Sequence, residues 1–148
     1  MDYMSHFAER LRELMIEKGL IPKTLASVLG INRTTITRYL NGTRQPSIAT
    51  FVAIADYFHC TADFLLGIED VSRTDKFNDC PPFSEQLHII LDKAEITKYE
   101  LCKRTKIAET AVYDWQRGDN VPSLSNIYLM AKKLDLSVDF ILGRVTYD

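Results

Sequence analysis

Three arginines and four threonines lie between Asn32 and Arg44, a stretch that contains no acidic residue. A guanidinium group can donate two parallel hydrogen bonds to a guanine edge, and a threonine can bind a base edge or pack against a thymine methyl. Arginines also neutralise phosphate groups. The stretch therefore has the chemistry needed to contact a nucleic acid.

A helix that begins after Asn32 would bring these side chains together, because positions i, i+1, i+4 and i+5 share one face of an α-helix. The side chains at those positions are Arg33, Thr34, Thr37 and Arg38. Ile36 and Tyr39 would then point the other way, toward a core. Three further polar residues, one before this helix and two just after it, suit phosphate contacts. They are Lys23, Asn41 and Arg44.

The overall charge is nearly balanced, with 18 Lys and Arg against 20 Asp and Glu in 148 residues. Any contact with nucleic acid must therefore be local. Three cysteines without Cys-x-x-Cys spacing, three scattered histidines and the lack of a glycine-rich phosphate loop predict no catalytic residue, metal site or cofactor. A charged N-terminus and the absence of a long apolar run predict a cytoplasmic protein without a membrane partner.

The sequence repeats itself at an offset of 76 residues, which aligns residues 7–67 with residues 83–143 without a gap. Two copies of one small domain explain this match. Residues 68–82 are polar and end in Pro-Pro, which is typical of a linker. We therefore predict a first domain over residues 1–67, a linker over 68–82 and a second domain over 83–148.

Each copy contains five short helical segments and no strand alternation, which predicts an all-α fold. Phe7 and Leu11 begin an apolar stripe at helical spacing along the first segment. Pro22 suits the first position of the second helix in copy one. In copy two, Thr97 and Glu100 form a T-x-x-E capping box at the matching place.

In copy one, two short helices are joined by a tight turn and followed by Asn-Gly and Pro-Ser. Gly30 interrupts the chain between the helices, and Asn32 is a candidate N-cap for the second helix. This pattern closely resembles the helix-turn-helix of the phage-repressor/Cro-like family, and the resemblance covers nearly all of both copies. It implies two tandem five-helix lambda-repressor-like domains, of which the first binds double-stranded DNA through its third helix. By this resemblance, the base-reading positions are Arg33, Thr34, Thr37 and Arg38, and the positions that meet the DNA backbone are Asn41 and Arg44.

The second copy reverses the charge on the matching helix. Between Ala108 and Asn120 there is one cation and three anions: Arg117 against Glu109, Asp114 and Asp119. Anions at a groove surface oppose binding to a duplex. The candidate contacts of this copy with DNA or with a partner are Lys98, Lys103, Thr110, Tyr113 and Arg117. Three hypotheses are open: the copy packs against copy one or pairs two chains into a homodimer, it reads a different half-site, or it binds another protein.

The sequence thus predicts a sequence-specific DNA-binding transcriptional regulator, and a repressor rather than an activator. The alternative is an interaction module of antitoxin type that keeps the fold but binds little DNA. RNA is a weaker candidate ligand, because the third helix of copy one has no exposed aromatic platform on which bases could stack.

Overall fold

A computed structural model describes residues 2–147 of the chain. They form two compact units, of which the first ends at Lys76 and the second begins at Phe77. All regular secondary structure within residues 2–147 is helical, and no strand occurs there. The all-α prediction is therefore confirmed.

Each unit contains five of the helices found among the described residues. Those of the first unit are α1 (Tyr3–Glu17), α2 (Pro22–Leu29), α3 (Arg33–Leu40), α4 (Ile48–Tyr57) and α5 (Ala62–Leu65). Those of the second are α6 (Phe83–Ala94), α7 (Lys98–Thr105), α8 (Glu109–Arg117), α9 (Leu124–Leu134) and α10 (Val138–Leu142). In the part of the chain that the structure describes, no helix has both the length and the hydropathy needed to cross a bilayer.

The helix starts follow from local sequence. Pro22 is the first residue of α2, as predicted. In the predicted capping box, Thr97 Oγ1 accepts the amide of Glu100 and Glu100 Oε1 accepts the amide of Thr97, each at 3.2 Å. Ser47 caps α4 by accepting an amide of its first turn at 3.2 Å. Asn32 does occupy the N-cap position of α3, but its side chain makes no capping hydrogen bond.

Aromatic contacts join the first and third helices of each unit. In the first unit the ring of Phe7 lies 5.9 Å from that of Tyr39 and 5.8 Å from that of Phe51, measured between centroids. In the second unit, Phe83 and Trp115 meet edge to face at 5.7 Å. Such pairs add about 0.5–1.5 kcal/mol to the energy of burial. They fix how the first and third helices of each unit pack together.

The second unit also buries a charged pair. Arg144 is fully buried, and its Nη1 lies 2.6 Å from Oδ1 of Asp139. The guanidinium group stacks on the ring of Phe77 at 3.8 Å from the centroid. The pair therefore ties α10 to the chain at the start of this unit.

The segment predicted as a linker, residues 68–82, contains no helix. Its first half belongs to the first unit, where Ser72 Oγ accepts the amide of Thr61 at 2.9 Å. Its second half belongs to the second unit, where the amide of Asn78 donates to the carbonyl oxygen of Arg144 at 2.8 Å. Both halves are thus held by hydrogen bonds to the unit that they adjoin.

Candidate nucleic-acid interface

The turn between α2 and α3 sets the course of α3. Gly30 ends α2 in the left-handed conformation, at a φ of +70°, which glycine adopts without strain. The amide of Ile31 then donates to the carbonyl oxygen of Ala26 at 3.0 Å, which closes the turn. Three residues separate the helices, a turn length that fits a helix-turn-helix motif.

The two faces of α3 have different environments. Ile36 and Tyr39 are 0% and 3% exposed, which confirms the prediction that they enter the core. The four predicted base-reading side chains are all exposed: Arg33, Thr34, Thr37 and Arg38. The hydroxyl of Thr37 donates its hydrogen to the carbonyl oxygen of Arg33 at 3.2 Å. The side chain of Thr37 can therefore contact a partner as a hydrogen-bond acceptor or through its methyl group. The contacts of this face with DNA stay a prediction.

The C-terminal end of α3 is closed by the residues that follow it. Asn41 is the C-cap residue, and Gly42 follows in the left-handed conformation at a φ of +72°. The amide and the hydroxyl of Thr43 both donate to the carbonyl oxygen of Arg38, at 3.0 and 3.3 Å. This closure leaves the side chains of Asn41 and Arg44 exposed.

Arg44 acts electrostatically on the buried phenol of Tyr39. Burial raises the pKa of Tyr39, while the positive charge of Arg44 and a hydrogen bond with the side chain of Thr50 partly oppose the rise. The phenol therefore stays neutral at physiological pH.

Arg12 is a residue of this region that the sequence analysis missed. Its Nη2 donates to the carbonyl oxygen of Leu40 at 3.1 Å, and so α1 caps the last turn of α3. Carbonyl groups in a last turn lack partners within their helix. The acceptor is a backbone atom 28 residues away, which no local pattern reveals.

The cations of this interface are not paired with the carboxylates that the structure describes. Within residues 2–147, no carboxylate forms an ion pair with any of the exposed side chains of Lys23, Arg33, Arg38 and Arg44. No carboxylate within residues 2–147 therefore neutralises their positive charges.

The matching helix of the second unit has the opposite electrostatics. Arg117 pairs with Asp114, and its Nε lies 2.9 Å from Oδ2 of Asp119. The hydrogen bond to Asp119, together with the charges of both aspartates, raises the pKa of Arg117. The predicted contact residue Arg117 is thus engaged by two carboxylates of its own unit.

The other four candidates of the second unit fall into two groups. Lys98 is half-buried, donates from Nζ to Oε1 of Gln116 at 2.6 Å and lies 5.0 Å from the centroid of the Tyr113 ring. Lys103, Thr110 and Tyr113 are exposed. Lys98 is therefore committed to positioning α7 against α8, whereas the other three are accessible to a partner.

No group of three or more His, Cys, Asp or Glu side chains in the described part of the chain is arranged to hold a metal ion.

Comparison with known proteins matches both units to the same family. A family model described as helix-turn-helix matches residues 11–65 and again residues 87–141. The two matches begin 76 residues apart, which is the offset of the internal repeat.

The chain is also similar to two curated regulators of Bacillus subtilis (strain 168). It is 38% identical to the HTH-type transcriptional regulator AnsR over 66 residues. This match covers 45% of this chain and 57% of AnsR. It is 33% identical to the uncharacterized HTH-type transcriptional regulator YqaE over 60 residues. This match covers 40% of this chain and 52% of YqaE. The chain thus spans about half the length of these relatives. No solved structure matches it at a significant level. The chain belongs to the helix-turn-helix family and carries two tandem copies of its domain.

Proposed function

We propose that this protein is a sequence-specific DNA-binding transcriptional regulator that reads the major groove with α3 of its first domain. One observation carries the proposal: α3 and the turn after it present Arg33, Arg38 and Arg44, and no carboxylate in the described part of the chain pairs with them. A cation that is not neutralised internally can release counterions from DNA, which is the main source of affinity for a duplex.

The exposed residues divide into two roles. We assign base contacts to Arg33, Thr34, Thr37 and Arg38, which lie on the exposed face of α3. We assign backbone contacts to Lys23, Asn41 and Arg44, at the start of α2 and after α3. Phosphate contacts position a protein on the duplex, and base contacts give specificity. Repression rather than activation is proposed only on the resemblance to phage repressors.

The second domain has a different role in this proposal. Arg117 is already paired with Asp114 and Asp119, so α8 offers a duplex little positive charge. We assign residues 1–67 to DNA reading and residues 83–148 to pairing two chains into a homodimer. In such a dimer, the two reading helices would have to meet half-sites about 34 Å apart, or a multiple of that distance.

The protein acts by binding in this proposal, without catalysis. A cytoplasmic location is proposed on the function alone, because a regulator of this kind must reach DNA.

An amide NMR titration of the whole chain with a generic duplex tests the assignment. At low salt even non-specific DNA engages the electrostatic face of a binding protein, and high salt should reverse the effect. We expect salt-sensitive shifts at Lys23 and over residues 32–44, and none over residues 108–120.

Two other outcomes would each contradict part of the proposal. Equal shifts over residues 32–44 and 108–120 would indicate a tandem reader of an asymmetric site. No salt-sensitive shifts in either range would indicate an interaction module of antitoxin type in place of a DNA reader.

A further inference from the structure

One face of the second domain differs in chemistry from its counterpart in the first. Tyr99 and Tyr113 stand where the first copy has Lys23 and Thr37, according to the offset of the repeat. The two tyrosines are 65% and 52% exposed, which makes them large apolar groups left in solvent. Aromatic side chains of this kind are enriched at protein interfaces. We call this surface of α7 and α8, centred on the two rings, the tyrosine face.

A pocket of about 250 Å³ lies on the tyrosine face, between α7 and α8. Cys102 and Val112 line it, together with Tyr99 and Tyr113. Burial raises the pKa of the Cys102 thiol, and the negative charge of Glu109 raises it further. The thiol is therefore neutral, and this part of the pocket is suited to an apolar or aromatic group.

The Tyr113 ring is held before any partner arrives. The ammonium group of Lys98 lies 5.0 Å from the ring centroid and is itself fixed by a 2.6 Å hydrogen bond to Gln116. A side chain that is already ordered loses less entropy on binding. Tyr113 is therefore suited to be an anchor that enters a pocket on a partner.

The charges beside the rings are arranged in two halves. Lys103 and Lys106, on and just after α7, are exposed and form no ion pair among the described residues. Glu109, at the start of α8, is exposed and likewise forms no ion pair within residues 2–147. A two-fold symmetric interface requires a surface that is complementary to itself. A surface with a basic half on α7 and an acidic half at α8 meets that requirement.

We propose that the tyrosine face binds the tyrosine face of a second copy of this chain. In the symmetric pair, α7 of each copy faces α8 of the other, and Tyr113 of each copy enters the pocket of its partner. Lys103 and Glu109 then meet across the interface. This inference rests on the proposed pairing of chains through the second domain, and it names the surface that does so.

The four tyrosine rings supply only part of the area that a specific dimer interface buries. A buried aromatic side chain contributes about 150–250 Å², so the four rings at their present exposures would cover roughly 350–600 Å². A specific interface buries at least about 1,200 Å² in total. The remaining area must come from the charged residues around the rings, and their complementarity therefore matters as much as the rings do.

Other occupants fit the face less well. A duplex would meet Glu109 and the two aspartates that already hold Arg117. A basic peptide would be repelled by Lys103 and Lys106. A second copy satisfies both halves at once.

Analytical ultracentrifugation of the full chain over a wide concentration series tests the inference. Tyr99→Lys with Tyr113→Thr gives the face the residue types of the first domain, and we expect it to raise the dimer dissociation constant by about tenfold or more. Tyr147→Thr is the matched control, since Tyr147 is 61% exposed and lies outside α7 and α8. The control should dimerise like the wild type.

A charge exchange guards against variants that merely misfold. Lys103→Glu and Glu109→Lys, placed on separate chains, should each weaken self-association, because like charges then meet across the two-fold axis. A mixture of the two variants should form a heterodimer, because each altered charge finds an opposite partner. Failure of the mixture to associate would overturn the symmetric arrangement.

The remaining outcomes separate this inference from the function proposed above. A wild-type dimer that tolerates the tyrosine substitutions would overturn the tyrosine face and leave pairing through the second domain intact. A wild-type chain that is monomeric at every concentration would overturn both. The NMR titration with DNA tests α3 independently of either result.

Discussion

Removing two cations from α3 should change how strongly DNA binding depends on salt. In Arg33→Gln with Arg38→Gln, both side chains keep a similar length and lose their charge. Arg33 and Arg38 are exposed and form no ion pair with any described residue, so the substitution leaves no carboxylate without a partner. The loss should therefore be felt in DNA binding and not in folding.

The size of the effect follows from counting charges. If Lys23, Arg33, Arg38 and Arg44 each neutralise one phosphate, log K falls against log salt with a slope of about −3.6 per bound chain. The double variant should show a slope of about −1.8. Between 50 and 200 mM salt, wild-type affinity should fall about 150-fold and that of the variant about 12-fold.

Fluorescence anisotropy of a labelled generic duplex, titrated across this range of salt, measures both slopes. Lys132→Gln with Lys133→Gln is the matched control, because it removes two exposed cations from the last turn of α9. The control should keep the wild-type slope. A wild-type slope in the α3 variant, or an equal loss in the control, would refute the assignment of α3 as the DNA-contacting helix.

Three further substitutions test other parts of the structure. Arg144→Ala removes the arginine that pairs with the buried carboxylate of Asp139 and should lower the free energy of unfolding by about 3–5 kcal/mol, as measured in urea. Ser47→Ala removes a capping hydrogen bond and should lower the free energy of unfolding by about 1 kcal/mol in the same assay. Asn32→Ala should lower it by less, because the Asn32 side chain makes no such bond, and equal losses would contradict this difference. Asp114→Asn with Asp119→Asn removes both carboxylates that pair with Arg117. The salt slope for generic DNA should steepen by about 0.9 if Arg117 then contacts a phosphate, and an unchanged slope would mean that it makes no such contact.

Much of the fold could be predicted from local sequence, because helix ends depend on a few neighbouring residues. Pro22 at a first helical position and the Thr97–Glu100 capping box were both predicted and both occur. The core positions Ile36 and Tyr39 followed from helical spacing. The capping bond of Asn32 was the exception: its type and position suit a cap, but the observed side chain makes no such bond.

Contacts between distant residues were not predictable in this way. Arg12 meets a backbone oxygen on α3, and a pattern of side chains along α1 does not reveal such an acceptor. Arg144 would ordinarily be expected at the surface, because a buried arginine requires a partner that the sequence alone does not identify. The pairing of Arg117 lies between these cases. Its partners are near in sequence, but which of them it would contact depends on the turn after α8.

Comparison of the two copies within this one chain explains why the fold could be predicted more fully than the function. Buried positions keep their character: Ile36 matches Val112, and each is apolar and lies on the buried face of the third helix of its domain. The exposed positions do not, since Arg33 is matched by Glu109. Packing constrains a buried side chain by volume and polarity, whereas an exposed one is constrained only by what it binds. The shared core therefore identifies one fold in both domains. The partner of each domain must be inferred from its exposed charges, and on that basis α3 is suited to DNA and α8 is not.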